Sequence, residues 1–161
     1  MIETKRLVIR KGELFDVSDV MEFRNTDFVL KYNCMNIVDE KHVFQEISNS
    51  LVLYEKSLKK VIGIISIEND YLRYGVKSQC LSYYMNECYC QKGYMSEALD
   101  KVIHVLFDLG CEMVSARVFV ENEASAQLLK KLNFKHEGTL QYAVKGYDGI
   151  IHDDQLFSRR K

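Results

Sequence analysis

Between Cys80 and Val120 the hydrophobic period changes twice, which limits the possible folds more than any other feature of the chain. The run Cys80-Leu81-Ser82-Tyr83-Tyr84-Met85 suits a strand, and a polar loop from Asn86 to Lys92 follows at once. Met95, Ala98, Leu99, Val102, Ile103, Leu106 and Leu109 then recur at three and four residues. That is the apolar stripe of an amphipathic helix, and Gly110 stands where a helix commonly stops. Met113 to Val120 returns to the pattern of a strand.

The flanking sequence supplies further elements. Leu7-Val8-Ile9 is short and apolar enough for a strand, while Leu14, Val17, Val20, Met21 and Arg24 follow helical spacing. Asp39 is placed to cap a second helix with Val43, Phe44, Ile47 and Leu51 inward, and the segment Asn25 to Val38 between the two helices reads as irregular. Leu51–Tyr54 and Val61–Ile67 read as strands joined by a charged turn. Asn122 has the chemistry to cap a short helix carrying Ser125, Leu128, Leu129 and Leu132 on one face, with Asn133 ending it in a left-handed conformation. Lys135–Tyr142 and Ile150–Phe157, joined through Lys145-Gly146-Tyr147-Asp148-Gly149, suit an antiparallel pair. This order of elements implies an α/β layer with a mixed sheet. No repeat or Gly/Ser-rich linker divides the 161 residues, so one domain over 1–161 is expected.

Composition excludes several classes. With 47% hydrophobic and 28% charged residues the chain is neither disordered nor fibrous. A net charge of -1 supplies no long-range field toward nucleic acid or an anionic membrane, and neither is expected as a partner. No run reaches the roughly 18 apolar residues of a membrane span, and Met1-Ile2-Glu3-Thr4-Lys5-Arg6 lacks the apolar core of a signal peptide, so a cytoplasmic location is expected. Five cysteines without paired zinc-finger spacing read as reduced thiols, Cys88 and Cys90 among them. The four histidines are scattered, so no metal site is expected. Proline is absent where about eight would be average, so Gly, Asn, Asp and Ser must make every reversal.

Gly93 opens the long helix. A glycine there lets backbone N–H groups approach an anion at the positive end of the helix dipole, although by itself it equally suits a plain connection. Four segments add to it: Leu81-Ser82-Tyr83-Tyr84; Lys92-Gly93-Tyr94-x-Ser96-Glu97-Ala98-Leu99; Ala116-Arg117-Val118-x-Val120-x-Asn122-x-x-Ser125; and Leu128-x-x-Lys131-Leu132-Asn133-Phe134-x-x-Glu137-Gly138. Together with Arg6-Leu7-x-Ile9-Arg10 and Phe23-Arg24-Asn25 they resemble the GNAT acetyltransferase superfamily, nearest its RimJ/RimL-type branch of ribosomal-protein N-terminal acetyltransferases.

The resemblance runs from Leu7 to Phe157 and implies a GNAT-like fold, a mixed, mostly antiparallel sheet that splays beside Cys80–Met85 and is flanked by helices. It implies acetyl-CoA as cosubstrate, with the pyrophosphate on the turn Gln91, Lys92, Gly93, Tyr94, Met95 and Ser96. Backbone groups of Tyr84 and Met85 would hold the thioester, with an N–H near Met85 polarising its carbonyl; Asn122 would order the cofactor and Lys131 meet the 3'-phosphate. The sequence departs from the family loop at Cys90, Gln91 and Met95, where a Met either crowds the phosphate or turns toward the core. Many members place a Tyr where Leu129 stands; the RimJ/RimL-like branch has a Ser at Ser125, which becomes the candidate proton donor to the leaving thiol. Glu87, Glu97, Glu112 and Tyr83 are candidate bases by type alone, and Tyr32, Asn33 and Tyr147 are candidate lining for the acceptor. The implied reaction is direct acetyl transfer to a primary amine, a protein N-terminal α-amine or a small molecule, in a ternary complex. The alternative is a non-catalytic acyl-CoA-binding or interaction module that retains the fold. Homodimers are common in the family.

Overall fold

The computed structural model describes all residues, 1–161. Strand β1 (Ile2–Glu3) pairs antiparallel with β2 (Leu7–Lys11). A 3-10 turn at Leu14–Asp16 leads into three helices, α1 (Val17–Arg24), α2 (Asp27–Leu30) and α3 (Glu40–Ser48). Strands β3 (Leu51–Glu55), β4 (Lys60–Asn69) and β5 (Ser78–Met85) follow, then α4 (Tyr94–Asp108), β6 (Met113–Phe119) and α5 (Glu123–Lys131). The long hairpin of β7 (Lys135–Lys145) and β8 (Ile151–Arg160) completes the chain.

The eight strands form one open sheet in the order β1-β2-β3-β4-β5-β6-β8-β7. All neighbours are antiparallel except β5 and β6, the two strands that α4 joins. The implied GNAT-like architecture is therefore present. The parallel pairing covers only Ser78–Leu81 against Met113–Ala116, whereas β6 stays paired with β8 through Phe119. Beyond Leu81 the two strands part and open the sheet.

Side-chain alternation sends the two faces of β5 into different cores. Leu81 and Met85 pack with Leu99, Val102 and Ile103 of α4 and with Leu129 of α5. Tyr84 packs on the other face with Val20 and Phe23 of α1 and Val43 and Ile47 of α3. Fully burying one such aliphatic side chain contributes about 1.5–3 kcal/mol, so these stripes hold the helices on the sheet.

Several sequence expectations shift in detail. The expected α3 forms, and the Asp39 carboxylate accepts the His42 N–H at 2.9 Å as its N-cap. Its inward face is only Val43 and Ile47; Phe44 is turned outward by one helical step, and Leu51 opens β3. Leu14 lies in the 3-10 turn, off the buried stripe of Val17, Val20 and Phe23, and is exposed. On α5 the buried residues are Ala126 and Leu129, and Leu128 is half-buried. Asn133 takes φ 62° and Gly110 φ 93°, the left-handed stops expected after the two helices. The segment read as irregular contains α2, capped by Thr26, whose side chain accepts the Val29 N–H. No helix is long and apolar enough to cross a membrane.

Candidate functional site

The parting of β5 and β6 leaves a cleft of about 800 Å³. Its walls come from α2 and the residues after it, the end of β5, the loop into α4, and α5. That volume lies within the range of small-molecule and cofactor sites.

One wall is the start of α4. Gln91 and Gly93 take φ 58° and 79°, so two left-handed residues wrap the chain into the helix. The Glu97 N–H is the first to close on the Gly93 carbonyl, at 3.0 Å, and the N–H groups of Tyr94, Met95 and Ser96 precede the intrahelical bonding pattern. Such donors at the positive end of a 15-residue helix suit an anion. A Cβ on Gly93 would have only the Arg6 Nη2, at 3.5 Å, within contact distance. Of the two courses expected for Met95 it takes the second, packing into the apolar core, although it also borders the cleft.

The second wall is the unpaired edge of β5. Met85 faces Gly63 on β4, and the next residue, Asn86, donates its N–H to the Ile62 carbonyl at 2.9 Å. In an antiparallel ladder this makes Met85 a non-hydrogen-bonded position, so its backbone N–H and C=O turn toward the cleft, as do those of Tyr83. Tyr84 is one step out of phase. Its carbonyl lies 3.1 Å from a Cβ built on Gly63, on the β4 side. The backbone edge facing the cleft therefore belongs to Met85 and Tyr83 rather than to Tyr84, which borders the cleft while its side chain packs on the other sheet face.

At the floor of the cleft the Tyr83 hydroxyl meets the Ser125 Oγ at 2.6 Å. Asn122 holds the start of α5 by accepting the Ser125 N–H on its side-chain oxygen at 3.2 Å. Burial pushes the Tyr83 phenol up to about 12, against the opposing effect of its bond to Ser125. It therefore stays protonated at neutral pH. Leu129, where other members carry a Tyr, is buried in the core.

The remaining residues separate cleanly. Gln91, Gly93, Tyr94, Met95, Ser96, Asn122, Ser125 and Lys131 all border the cleft, as do Tyr32, Asn33 and Glu87. Lys92 is turned away, its Nζ donating to the Cys88 carbonyl at 2.9 Å. Tyr147 sits on the turn of the β7–β8 hairpin and is not part of the cleft wall. Glu97 is engaged by Arg6, and Glu112 accepts the Lys77 N–H at the closed end of the β5–β6 pair. All five cysteines carry free thiols, and burial raises the Cys90 thiol at the cleft edge. No group of three or more His, Cys, Asp or Glu side chains is arranged to hold a metal ion.

A buried polar cluster behind the cleft was not foreseen. Arg24 Nε donates to Glu46 at 2.8 Å, and the Tyr84 hydroxyl donates to the other oxygen of the same carboxylate. Burial and the Glu46 charge raise the Tyr84 phenol far above its ordinary value. Arg24 also donates to the Asn36 carbonyl at 3.2 Å, and Asn25 bonds both the N–H and the C=O of Val38. The Arg24-Asn25 pair thus secures the segment after α2, which borders the cleft through Tyr32 and Asn33.

Comparison with known proteins agrees with this architecture. Residues 6–135 match the acetyltransferase (GNAT) domain family. The chain is 30% identical to the uncharacterized N-acetyltransferase p20 of Bacillus licheniformis over 98% of its own length and 94% of that protein. Its fold resembles the ribosomal-protein-S5-alanine acetyltransferase of Vibrio fischeri, with a TM-score of 0.85 and 20% identity over 99% of this chain and 95% of the other. It also resembles RimL, a ribosomal L7/L12 α-N-protein acetyltransferase solved with coenzyme A, with a TM-score of 0.80 and 14% identity over 98% and 95% of the two chains. An open mixed sheet parted beside a glycine-led helix, together with a family match over most of the sequence, means that this chain belongs to the GNAT acetyltransferase family.

Proposed function

We propose that the chain transfers an acetyl group from acetyl-CoA to a primary amine by direct attack in a ternary complex, with a protein or peptide α-amine as the favoured acceptor. The observation that carries this reading is the placement of the Tyr83–Ser125 hydroxyl pair in the same cleft as the open N-terminus of α4. The residues present fit the group: the cleft has the volume, the Gln91–Ser96 turn the amide donors, and β5 an unpaired backbone edge. Bound there, acetyl-CoA supplies an activated thioester and a thiol leaving group.

The Gly93 turn holds the pyrophosphate, Lys131 on the last turn of α5 meets the adenosine-side phosphate, and Asn122 fixes the start of that helix. The Met85 N–H, facing the cleft, donates to the carbonyl oxygen where negative charge grows. The hydroxyls of Tyr83 and Ser125 share one hydrogen bond in which either oxygen can donate; in the arrangement where the protonated Tyr83 donates, the Ser125 proton is free for the departing sulfur.

The carboxylates support an α-amine acceptor. Glu97 is engaged by Arg6, and Glu46 by Arg24 and Tyr84, so Glu87 is the one cleft-lining carboxylate left to take a proton. A lysine amine would need about 4.6 kcal/mol to reach its neutral form at pH 7, and an α-amine only about 1 kcal/mol. A site with little base chemistry suits the α-amine. The structural likeness to enzymes named for ribosomal-protein α-amines supports the same direction.

Calorimetric titration with acetyl-CoA, followed by an assay of CoA-thiol release over peptide α-amines, lysine side chains and small amines, tests the proposal. Micromolar binding and turnover on α-amines are expected. Gly93→Asp, which sets a carboxylate in the anion's place, raises Kd at least tenfold. Ser125→Ala lowers kcat about 10²-fold or more while Kd for acetyl-CoA stays within about twofold. Binding without turnover on any amine would favour the non-catalytic module, and absence of binding would overturn the cofactor site.

A further inference from the structure

Arg6 stands 85 residues before the Gln91 turn in sequence yet lies against it in space. Its Nη1 donates to the Lys92 carbonyl at 2.9 Å, and its Nε donates to Glu97 Oε2 at 2.7 Å. The Arg6 backbone N–H donates to the other oxygen, Glu97 Oε1, at 3.0 Å. The guanidinium carbon lies 4.0 Å from the centre of the Tyr94 ring, and Nη2 is the atom nearest to where a Gly93 side chain would begin. One side chain therefore touches three of the six residues from Lys92 to Glu97 and lies beside a fourth, Gly93.

The anchor is itself fixed. The Arg6 carbonyl accepts the Lys56 N–H at 3.0 Å, and the next residue, Leu7, is fully buried at the start of β2. On the other side Glu97, in the first turn of α4, is held ionised. Burial acts to raise its carboxyl, but hydrogen bonds from Thr4 and Arg6 and the Arg6 charge outweigh it and lower it. The turn needs such support, because two left-handed residues in three are otherwise held by little: α4 has no side-chain N-cap, and Gln91 occupies a conformation suited to glycine.

We propose that Arg6 is the positioning residue of the pyrophosphate turn: it clamps Lys92–Glu97 so that the first N–H groups of α4 converge on one anion. It acts through the loop rather than by contact, since it does not border the cleft and Glu97 already engages its charge. The assignment rests on the reading that acetyl-CoA binds at this turn.

The test uses Arg6→Met, which keeps an unbranched stem and removes every guanidinium bond, with Glu97→Gln as a second variant that keeps the shape of the partner. Calorimetry with CoA and 3'-dephospho-CoA gives Kd, and kcat/KM is measured with acetyl-CoA and with S-acetylpantetheine, which lacks the pyrophosphate. For Arg6→Met the Kd for CoA and for dephospho-CoA rises by the same factor, tenfold or more, while kcat/KM for S-acetylpantetheine stays within twofold. Glu97→Gln shows a smaller shift of the same pattern. Unchanged Kd in Arg6→Met beside a wild-type protein that binds CoA overturns the clamp alone. A loss of S-acetylpantetheine turnover equal to the loss with acetyl-CoA also overturns it, because general unfolding would act on both donors. Loss confined to CoA, with dephospho-CoA spared, assigns Arg6 to the 3'-phosphate instead. A wild-type protein that binds neither nucleotide overturns the cofactor reading and the clamp together.

Discussion

Gln91 shows how a single residue departs from its local preference where a site requires it. A glutamine at φ 58° carries strain of about 1–3 kcal/mol, because its Cβ crowds the backbone in the left-handed region. Glycine there relieves the strain but releases more chain entropy on unfolding, about 0.5–1 kcal/mol. The strain term is the larger. Gln91→Gly therefore raises the calorimetric melting midpoint by about 2 °C, whereas the same exchange in a helix or strand lowers it. Ser125 and Tyr83 illustrate the opposite case, two residues that satisfy their own elements and each other. Ser125 completes the first turn of α5 and Tyr83 fills the sheet face beneath it, and their hydroxyls meet at the cleft floor.

Among the elements, α4 has the most to do. Its inner stripe, Ala98, Leu99, Val102 and Ile103, is almost wholly buried on the sheet, and its open end forms one wall of the cleft. Packing at one end thus sets the position of the amide donors at the other. Leu99→Ala removes buried atoms from the middle of this stripe and leaves a cavity, at a cost of about 3 kcal/mol in urea denaturation. Because the helix remains on the sheet, CoA affinity measured well below the transition falls less than stability does. Helix α2 is a contrasting element, four residues that its own sequence hardly sustains, capped by Thr26 and held through Val29 and Leu30 in the core.

At the scale of the whole molecule, carboxylates set the response to acid. Glu137 joins the β7–β8 hairpin to the β4–β5 connection by accepting from Ser158 at 2.5 Å and from Arg73 at 2.6 Å. The Ser158 hydrogen bond, opposed by burial and reinforced by Arg73, lowers its carboxyl below the ordinary value. Glu55 and Glu97 are also lowered: burial acts to raise each, and hydrogen bonds outweigh it. A folded-state value below the unfolded one means that the unfolded chain binds more protons as pH falls. This stabilisation is complete above the unfolded value, about pH 4.3, and is lost as pH drops through the folded values. Chemical denaturation is therefore expected to give stability that falls steeply below about pH 4.5, with a shallower slope in Glu137→Gln. Asp154 has the opposite sign, since burial raises its carboxyl despite Arg117, and it offsets a little of that slope.

The strand-loop-helix-strand unit from Cys80 to Val120 was legible because its signals are local: period, cap chemistry and a glycine before the helix. The stops at Gly110 and Asn133 and the caps at Asp39 and Asn122 were legible for the same reason, each depending on bonds within a few residues. The Thr26-Asp27 cap signal of α2 was also present, but four residues carry too little periodicity to stand out. Other features had no local signature. Which backbone edge of β5 faces the cleft depends on the register with β4, so Met85 and Tyr83 could be separated from Tyr84 only after pairing. That Tyr83 meets Ser125, that Arg6 grips Lys92 and Glu97, and that Tyr147 lies off the cleft are relations between distant parts of the chain. Sequence by itself determined the elements, because dihedral preference and apolar spacing act over a few residues; tertiary structure decided the site, because contacts across tens of residues depend on how the sheet is ordered and where it parts.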